Sequence, residues 1–343
     1  MKLGLVGYQG SGKSTLFELL TSVKPDVAKA HLGQLGTAVV PDARFDRLVG
    51  LYKPKKVSPA RIELFDTPGL DRKEHEGNAQ RLGVIRESNT MVLVVGCFAG
   101  ADPIADVQSF QDDIILADLQ VVTNRMGRLE KDILKPRPDR EQLQAEIAAL
   151  QPIAAQLNEG RSVADLVFSE PQDKATKSFS LLTRKKQLVI LNTSDSTQAA
   201  DAAKKLEAAG YRVVAAPVGL ELEVQQLPPE DREEFAKEMG LGEPCATRVL
   251  RAIFEVTEQI TFYTSDEKEV HAWLLQRGGT ALDAAGTIHT DLARGFIRAE
   301  IVAVDDLLRL GSEREVKAAG LHRVEGKDYP MRDGDEIVVR FSV

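Results

Sequence analysis

The stretch "GYQGSGKS" at residues 7–14 limits what this chain can fold into more than any other feature of its sequence. Its spacing is G-x-x-x-x-G-K-[ST], in which backbone N–H groups surround phosphate oxygens at the N-terminus of a helix. The apolar run "LGLV" precedes it, and the apolar-faced segment "LFELL" follows it. Since the motif requires this order of strand, loop and helix, the sequence predicts a phosphate-binding loop, or P-loop.

Two side chains of the P-loop have predicted chemical roles. Lys13 is expected to neutralise the outer phosphates of a nucleotide and so to act in catalysis. Ser14 is expected to offer its hydroxyl to Mg²⁺. The P-loop residues predicted to bind the nucleotide are Gly7, Gly10, Ser11, Gly12, Lys13, Ser14 and Thr15.

A second motif, "DTPG", ends a predicted strand with Asp66 and runs to Gly69. An aspartate at this position can hold Mg²⁺, and the Gly69 N–H can face the γ-phosphate, so the segment can respond to that phosphate. We therefore predict Asp66 as a metal ligand and Gly69 as a catalytic residue. The segment "KAHLGQLGTAVVPD" is a second switch candidate, in which Thr37 is the hydroxyl available to Mg²⁺.

A third motif, "NTSD", has the spacing N-x-x-D and follows another predicted strand. Asn192 and Asp195 are therefore predicted to contact the nucleobase. A carboxylate can accept both N–H groups on the Watson–Crick edge of guanine, whereas adenine offers one donor and an acceptor. The pattern favours GTP, but Thr193 stands where a lysine usually covers the base, so ATP remains open.

Strands and helices alternate along much of the chain. The predicted strands include "ARIELFD", "MVLVVG", "KKQLVILN" and "YRVVAA", with helical segments between them. Such alternation predicts an α/β fold with a mostly parallel sheet and a ligand site at the carboxyl ends of its strands. All three motifs lie at predicted strand ends.

An interruption from about residue 102 to residue 183 has a helical pattern instead. One apolar stripe steps by four and three, the spacing of a coiled-coil seam, and a second stripe follows the helix-breaking "KPRPDR". We predict an inserted antiparallel α-helical hairpin, whose role as packing alone or as a partner-binding arm stays open. The two stripes are Ile115, Leu119, Val122, Met126, Leu129 and Ile133, and Leu143, Ile147, Leu150, Ala154 and Leu157.

Residues 260–343 predict a small α+β domain of β-grasp type, because mixed strands surround one main helix. This block is acidic, which favours a protein or a shaped surface as its target. The whole chain has a formal charge of −8, and this argues against broad capture of nucleic acid.

Composition indicates an ordinary globular protein of two or three domains, with 343 residues of which 43% are hydrophobic and 28% charged. Two cysteines are too few for a disulfide framework, and no apolar run is long enough to cross a bilayer. We expect a cytoplasmic monomer without a membrane partner.

The chain resembles the YchF subfamily of Obg-related P-loop GTPases along essentially its whole length. The resemblance is densest in "KEVHAWLL", "AAGTIHTDLARGFIRA" and "EGKDYPMRDGDEIVVRFSV", and "EDREEFAKEMGL" and "ADL" at residues 117–119 also fit. It implies a G domain in residues 1–101 and 184–259, a helical insertion in 102–183 and a TGS domain of β-grasp type in 260–343. It also implies use of GTP or ATP and association with the ribosome.

Departures from the family pattern bear on catalysis. The family base-reading segment is N-x-x-E, whereas this chain has Asp195. A family histidine proposed to help hydrolysis falls on Leu93, and Leu70 occupies the position where many GTPases have glutamine. We therefore expect slow hydrolysis, about 10⁻⁴ to 10⁻² s⁻¹. A nucleotide-binding scaffold without turnover is the main alternative, and a small-molecule kinase is weaker because no arginine-rich lid is evident.

Overall fold

The computed structural model describes residues 1–73, 77–98, 100–136, 138–194 and 199–342. The strands in chain order are β1 (Lys2–Val6), β2 (Gln34–Val39), β3 (Lys56–Ser58), β4 (Arg61–Asp66), β5 (Thr90–Cys97), β6 (Gln187–Thr193), β7 (Val213–Ala216), β8 (Gln259–Ser265), β9 (Glu269–Gln276), β10 (Phe296–Ala303), β11 (Arg323–Glu325) and β12 (Asp335–Phe341).

The α-helices in chain order are α1 (Lys13–Thr21), α2 (Ala43–Tyr52), α3 (Asn78–Ile85), α4 (Pro103–Ile133), α5 (Arg140–Asn158), α6 (Glu170–Thr176), α7 (Ala200–Ala208), α8 (Val218–Gln226), α9 (Pro229–Glu238), α10 (Cys245–Thr257), α11 (Ala281–Ile288), α12 (Thr290–Arg294), α13 (Val304–Leu310) and α14 (Glu313–Ala318). Short 3₁₀ turns lie at Val27–Lys29 and Leu182–Arg184. The chain divides into two compact units, residues 1–36 with 63–249 and residues 37–62 with 250–343.

The first unit is built on a sheet with the strand order β2-β4-β1-β5-β6-β7. The pairs β1–β4, β1–β5, β5–β6 and β6–β7 are all parallel. Strand β5 is buried along its whole length, as expected for a central strand that is covered on both faces. The predicted α/β class with a mostly parallel sheet is confirmed, and the carboxyl ends of β1, β4 and β6 lead into the three sequence motifs.

The helical insertion is confirmed as the antiparallel pair α4 and α5. Helix α4 begins after Asp102, whose carboxylate accepts the N–H groups of Ile104 and Ala105 at 3.1 Å each. Both predicted stripes contribute to one apolar cluster, which includes Ile115, Val122 and Leu150. The cluster shows why the heptad spacing occurs, since it gives each helix an apolar face to bury against the other.

The second unit contains a sheet with the strand order β11-β10-β12-β8-β9-β3. Helix α11 packs on this sheet, and its Ala281 and Ala284 share an apolar cluster with Phe262 of β8 and Ile301 of β10. A capping box starts this helix, because the Thr280 and Asp283 side chains accept each other's backbone N–H groups. The predicted C-terminal β-grasp architecture is confirmed.

Residues 37–62 belong to this second unit, although the sequence predicts them as part of the G domain. Strand β3 pairs in parallel with β9, and Arg44 Nη1 donates to Asp333 at 2.8 Å. The Tyr263 hydroxyl donates to the Asp42 carboxylate, 221 positions away in the sequence. Contacts over such separations leave no local pattern in the sequence, and the predicted bounds of the G domain stay a prediction.

Candidate nucleotide-binding site

The P-loop leaves β1 at Val6 and enters α1 at Lys13 through backbone that favours glycine. Gly7 has φ 136° and Gly12 has φ 97°. A Cβ on Gly7 would lie 2.4 Å from the Val94 carbonyl oxygen, and one on Gly12 would lie 2.1 Å from Asn192 Nδ2. The glycines thus let the loop approach Val94 of β5 and Asn192 of β6 closely, with its N–H groups at the start of a helix.

Lys13 is 6% exposed, and its Nζ donates to the Tyr8 carbonyl oxygen at 2.7 Å. Burial lowers the pKa of Lys13 to about 8; the Asp66 carboxylate opposes this shift and the Arg72 guanidinium adds to it. An ammonium has three N–H donors, so this one bond leaves capacity for phosphate oxygens. The structure thus holds a buried cation that an anionic ligand would stabilise.

Ser14 and Asp66 meet beside this lysine, because the Ser14 hydroxyl donates to Asp66 Oδ2 at 2.7 Å. Burial raises the pKa of Asp66, against the opposing effects of the Ser14 hydrogen bond and the Lys13 charge. Asp66 Oδ1 is buried without a hydrogen-bond partner. A buried oxygen of this kind is costly unless a donor or a cation reaches it.

These two residues fit Mg²⁺. The ion prefers oxygen ligands and usually binds through one or two carboxylates together with waters and substrate phosphates. Within the described part of the chain, no group of three or more His, Cys, Asp or Glu side chains forms a separate metal cluster. The Ser14 hydroxyl and the Asp66 carboxylate are therefore the groups that would hold the ion next to a bound phosphate.

Gly69 lies directly against the P-loop. The Leu70 N–H donates to the Gly7 carbonyl at 3.0 Å, and the Gln9 N–H donates to the Leu70 carbonyl at 2.9 Å. A Cβ on Gly69 would be 2.8 Å from Lys13 Nζ and 3.1 Å from Gln9 Cα. The absence of a side chain thus leaves room for the lysine ammonium, and the D-x-x-G segment is joined to the P-loop by backbone hydrogen bonds.

Leu70 and Leu93 are both core residues, with exposures of 0% and 1%. They belong to the same apolar cluster, which also contains Val6 and Ile85. Leu93 lies inside β5, where it pairs with Val6. The Leu93 side chain therefore packs in the core, and the expectation that it replaces a water-orienting histidine of the family stays a prediction.

Asn192 joins the third motif to the P-loop, since its Nδ2 donates to the Ser11 carbonyl oxygen at 3.0 Å. Ser11 is buried and its hydroxyl has no partner. Asp195, the predicted base-reading carboxylate, lies outside the described residues. A cavity of about 230 Å³ opens beside this motif, and Thr193, Ala215 and Pro217 are among its lining residues.

Three further predicted residues remain, one in the P-loop, one in α1 and one in β2. Thr15 is half-buried in α1, one residue beyond Ser14. Gly10 has φ 77° and open space around its Cβ position. Thr37 is an exposed residue of β2 that belongs to the second unit, so its role at Mg²⁺ stays a prediction.

The sequence does not single out four polar side chains in or beside the P-loop. The buried Tyr8 hydroxyl donates to Asp113 Oδ2 at 2.8 Å, and the Arg72 guanidinium lies 4.8 Å from the centre of the Tyr8 ring. Arg72 also pairs with Asp106 at 2.6 Å. Arg72 follows Gly69 by three positions, and this closeness to a recognised motif is the feature of the sequence that could have identified it.

Curated relatives match the chain from end to end. "Ribosome-binding ATPase YchF" of Haemophilus influenzae is 32% identical over 100% of this chain and 99% of the relative. The Bacillus subtilis protein of the same name is 33% identical over 99% of both chains. The chain belongs to the YchF family. "Obg-like ATPase 1" of Oryza sativa subsp. japonica is 31% identical over all of this YchF chain and 92% of the relative.

Structural and family comparisons agree with this membership. The "Structure of the Schizosaccharomyces pombe YchF GTPase" superposes with a TM-score of 0.83 at 25% identity, over 99% of this chain and 97% of that one. Residues 2–125 match the family described as 50S ribosome-binding GTPase. Residues 259–342 match the YchF-GTPase C-terminal family, described as a protein of unknown function (DUF933). In the described part of this YchF chain, none of the helices has the length and hydropathy needed to cross a bilayer.

Proposed function

We propose that this chain binds a purine nucleoside triphosphate with Mg²⁺, hydrolyses it slowly and uses it to control association with the ribosome. The observation that carries the proposal is the convergence of three groups at one glycine-lined loop. These are the buried Lys13 ammonium, the Ser14–Asp66 pair with its unpartnered oxygen, and Gly69 in contact range of the lysine.

Each group has a distinct part in the proposed reaction. The P-loop amides and Lys13 bind the outer phosphates, and Ser14 and Asp66 hold Mg²⁺. The ion, when bound, neutralises charge on the β- and γ-phosphates. Gly69 offers its N–H to the γ-phosphate, so that the segment after it has different contacts before and after hydrolysis. This difference is what lets bound nucleotide shift the population of a ribosome-binding state.

Slow turnover is part of the proposal. Leu70 and Leu93 are buried in the apolar core, so neither can orient the attacking water. Stabilisation then depends on Lys13, Mg²⁺ and backbone amides, for which about 10⁻⁴ to 10⁻² s⁻¹ is expected without an external activator. The same burial favours the alternative function, a scaffold that retains nucleotide without turnover.

The ribosome enters the proposal through the names of relatives and through the 50S ribosome-binding description of the matched GTPase family. Association with the ribosome would place the proposed activity in the cytoplasm. The test is release of labelled phosphate from GTP and from ATP by the purified chain, alone and with ribosomes. Release that ribosomes accelerate supports the switch, whereas tight binding without release under any condition supports the scaffold.

The choice between GTP and ATP is tested separately. Asp195 favours guanine, while several of the relatives are named ATPases. Competition binding of the two triphosphates to the wild type and to Asp195→Asn compares these possibilities. If Asp195 contacts the base, the variant loses a preference for guanine, and unchanged selectivity would remove this residue from the site.

A further inference from the structure

The Arg72 guanidinium is held against the P-loop by three neighbours. Its Nε donates to Asp106 Oδ1 at 3.1 Å and its Nη2 donates to Asp106 Oδ2 at 2.6 Å, so one edge of the guanidinium forms a two-point pair with the carboxylate. The remaining nitrogen, Nη1, donates to the Gln9 carbonyl oxygen at 3.3 Å. The Tyr8 ring lies beneath the guanidinium at 4.8 Å.

This arrangement directs Nη1 towards the part of the loop that meets Gly69. Gln9 Cα and Lys13 Nζ are the atoms that a Cβ on Gly69 would approach at 3.1 and 2.8 Å. Arg72 therefore contacts Gln9, and both Gln9 and Lys13 lie next to the expected position of the γ-phosphate. Arg72 and Lys13 are both cations that lie beside Gln9 and Gly69, so their charges repel each other there. A multiply charged anion between them would relieve this repulsion.

We infer that Arg72 is a catalytic residue which this chain supplies to its own γ-phosphate, and that Asp106 positions it. The inference rests on the proposed hydrolysis. When a triphosphate binds, Nη1 exchanges the long bond to the Gln9 carbonyl for a γ-phosphate oxygen, while Nε and Nη2 stay paired with Asp106. The 3.3 Å bond from the guanidinium to a neutral carbonyl is weaker than its bond to an anionic phosphate oxygen, so the exchange is favourable.

The reaction itself is an ordinary hydrolysis. Water adds to the γ-phosphorus, the bond from that phosphorus to the β,γ-bridging oxygen breaks, and the nucleoside diphosphate leaves with the bonding electron pair. The proton lost by water ends on the released phosphate. Arg72 stays protonated throughout and stabilises the charge that develops on the transferring group, which is the role of arginine in other GTPases.

The experiment compares three variants of the full chain with the wild type. They are Arg72→Ala, Arg72→Lys, which keeps the charge but loses the planar fork, and Asp106→Asn, which removes the anchoring charge. Phosphate release is measured at saturating nucleotide to give kcat, and the Kd of a non-hydrolysable analogue is measured separately. Arg81→Ala is the matched control, because that arginine donates to Asn78, outside the P-loop.

Arg72→Ala is expected to lower kcat about 10- to 100-fold, since GTPases with an arginine in cis hydrolyse at about 10⁻² s⁻¹ and those without one at about 10⁻⁴ s⁻¹. Its Kd should change less than about threefold, because the contact strengthens in the transition state. Arg72→Lys and Asp106→Asn should fall between the wild type and Arg72→Ala. The diphosphate with aluminium fluoride, a transition-state analogue, should bind the wild type more tightly than Arg72→Ala.

Three outcomes would overturn the inference. An unchanged kcat in Arg72→Ala would show that the guanidinium does not act on the reacting group. Parallel losses in analogue affinity and thermal stability, with kcat retained, would show a structural ion pair. Absence of turnover in the wild type would overturn the proposed function together with this inference. Turnover in the wild type with the same kcat in Arg72→Ala would overturn the role of the arginine alone.

Discussion

The charge of Lys13 makes nucleotide binding depend on pH. Burial lowers its pKa to about 8, so in the nucleotide-free protein the ammonium is present below pH 8 and is lost as the pH rises through that value. A bound phosphate stabilises the ammonium and raises its pKa again. Binding above pH 8 must therefore be accompanied by uptake of a proton.

The first prediction follows from this linkage. Nucleotide affinity should be insensitive to Lys13 ionisation below pH 8 and should fall by up to about tenfold per pH unit above it. Isothermal titration calorimetry at pH 7 and pH 9, in two buffers of different ionisation heat, measures both the affinity and the proton uptake. Equal affinity at the two pH values, with no proton uptake at pH 9, would contradict the burial of this ammonium.

Gly69 gives a second prediction at the residue scale. The Gly69→Ala variant adds a methyl group 2.8 Å from Lys13 Nζ, and the buried lysine has little room to move away. Triphosphate affinity should fall at least about fivefold, as about 1 kcal/mol of phosphate binding is lost. Gly83→Ala is the matched control, because that glycine lies in helix α3 with open space around its Cβ position. Equal affinities in the two variants would contradict the placement of Gly69 beside the phosphate.

At the scale of elements, Asp118 joins α4 to the body of the first unit. Its carboxylate is fully buried and pairs with Arg86 Nη1 at 2.6 Å. It also accepts the backbone N–H groups of Leu182 at 3.1 Å and Thr183 at 2.8 Å. The "ADL" stretch resembles the family at this point, and the structure supplies a physical reason for an aspartate there.

The third prediction concerns this pair. Asp118→Ala should lower the free energy of unfolding by about 3–5 kcal/mol, because the Arg86 charge and two buried N–H groups lose their partner. Chemical denaturation followed by far-UV circular dichroism measures the change. Asp112→Ala, at an exposed position of the same helix, should change stability by less than about 0.5 kcal/mol. A small effect at both positions would mean that the buried pair contributes little to stability.

At the scale of the whole molecule, the second unit is discontinuous in sequence. Residues 37–62 supply β3 to the edge of β9 and supply Asp42 and Arg44 to Tyr263 and Asp333. Residues 260–343 alone therefore lack one edge strand and the partners of these side chains. The C-terminal domain predicted from the sequence, residues 260–343, leaves out residues 37–62, which belong to the same compact unit.

This discontinuity gives the fourth prediction. A fragment of residues 260–343 should unfold at a lower denaturant concentration than the same region within the full chain. The chain has one tryptophan, Trp273 in β9, so its fluorescence reports on this unit in both samples. Coincident unfolding transitions would contradict a stabilising role for residues 37–62.

The features that the sequence predicts are those encoded by local spacing. The P-loop, the strand and helix alternation and the heptad stripes all depend on residues close together in the chain. The Arg72–Asp106 pair spans 34 positions and the Tyr263–Asp42 contact spans 221, so neither produces a periodic pattern. The burial of Leu93 could be predicted, because it lies within "MVLVVG", which is itself predicted to be a buried strand.

The most direct test of the central claim is equilibrium binding of a triphosphate, with and without Mg²⁺, to the wild type and to Lys13→Ala. Mg²⁺ should tighten binding to the wild type. The Lys13→Ala variant should bind at least about 100-fold more weakly, since a buried charge-assisted contact with phosphate is lost. A Lys13→Ala variant that binds the triphosphate as tightly as the wild type would contradict the assignment of this loop as the nucleotide site.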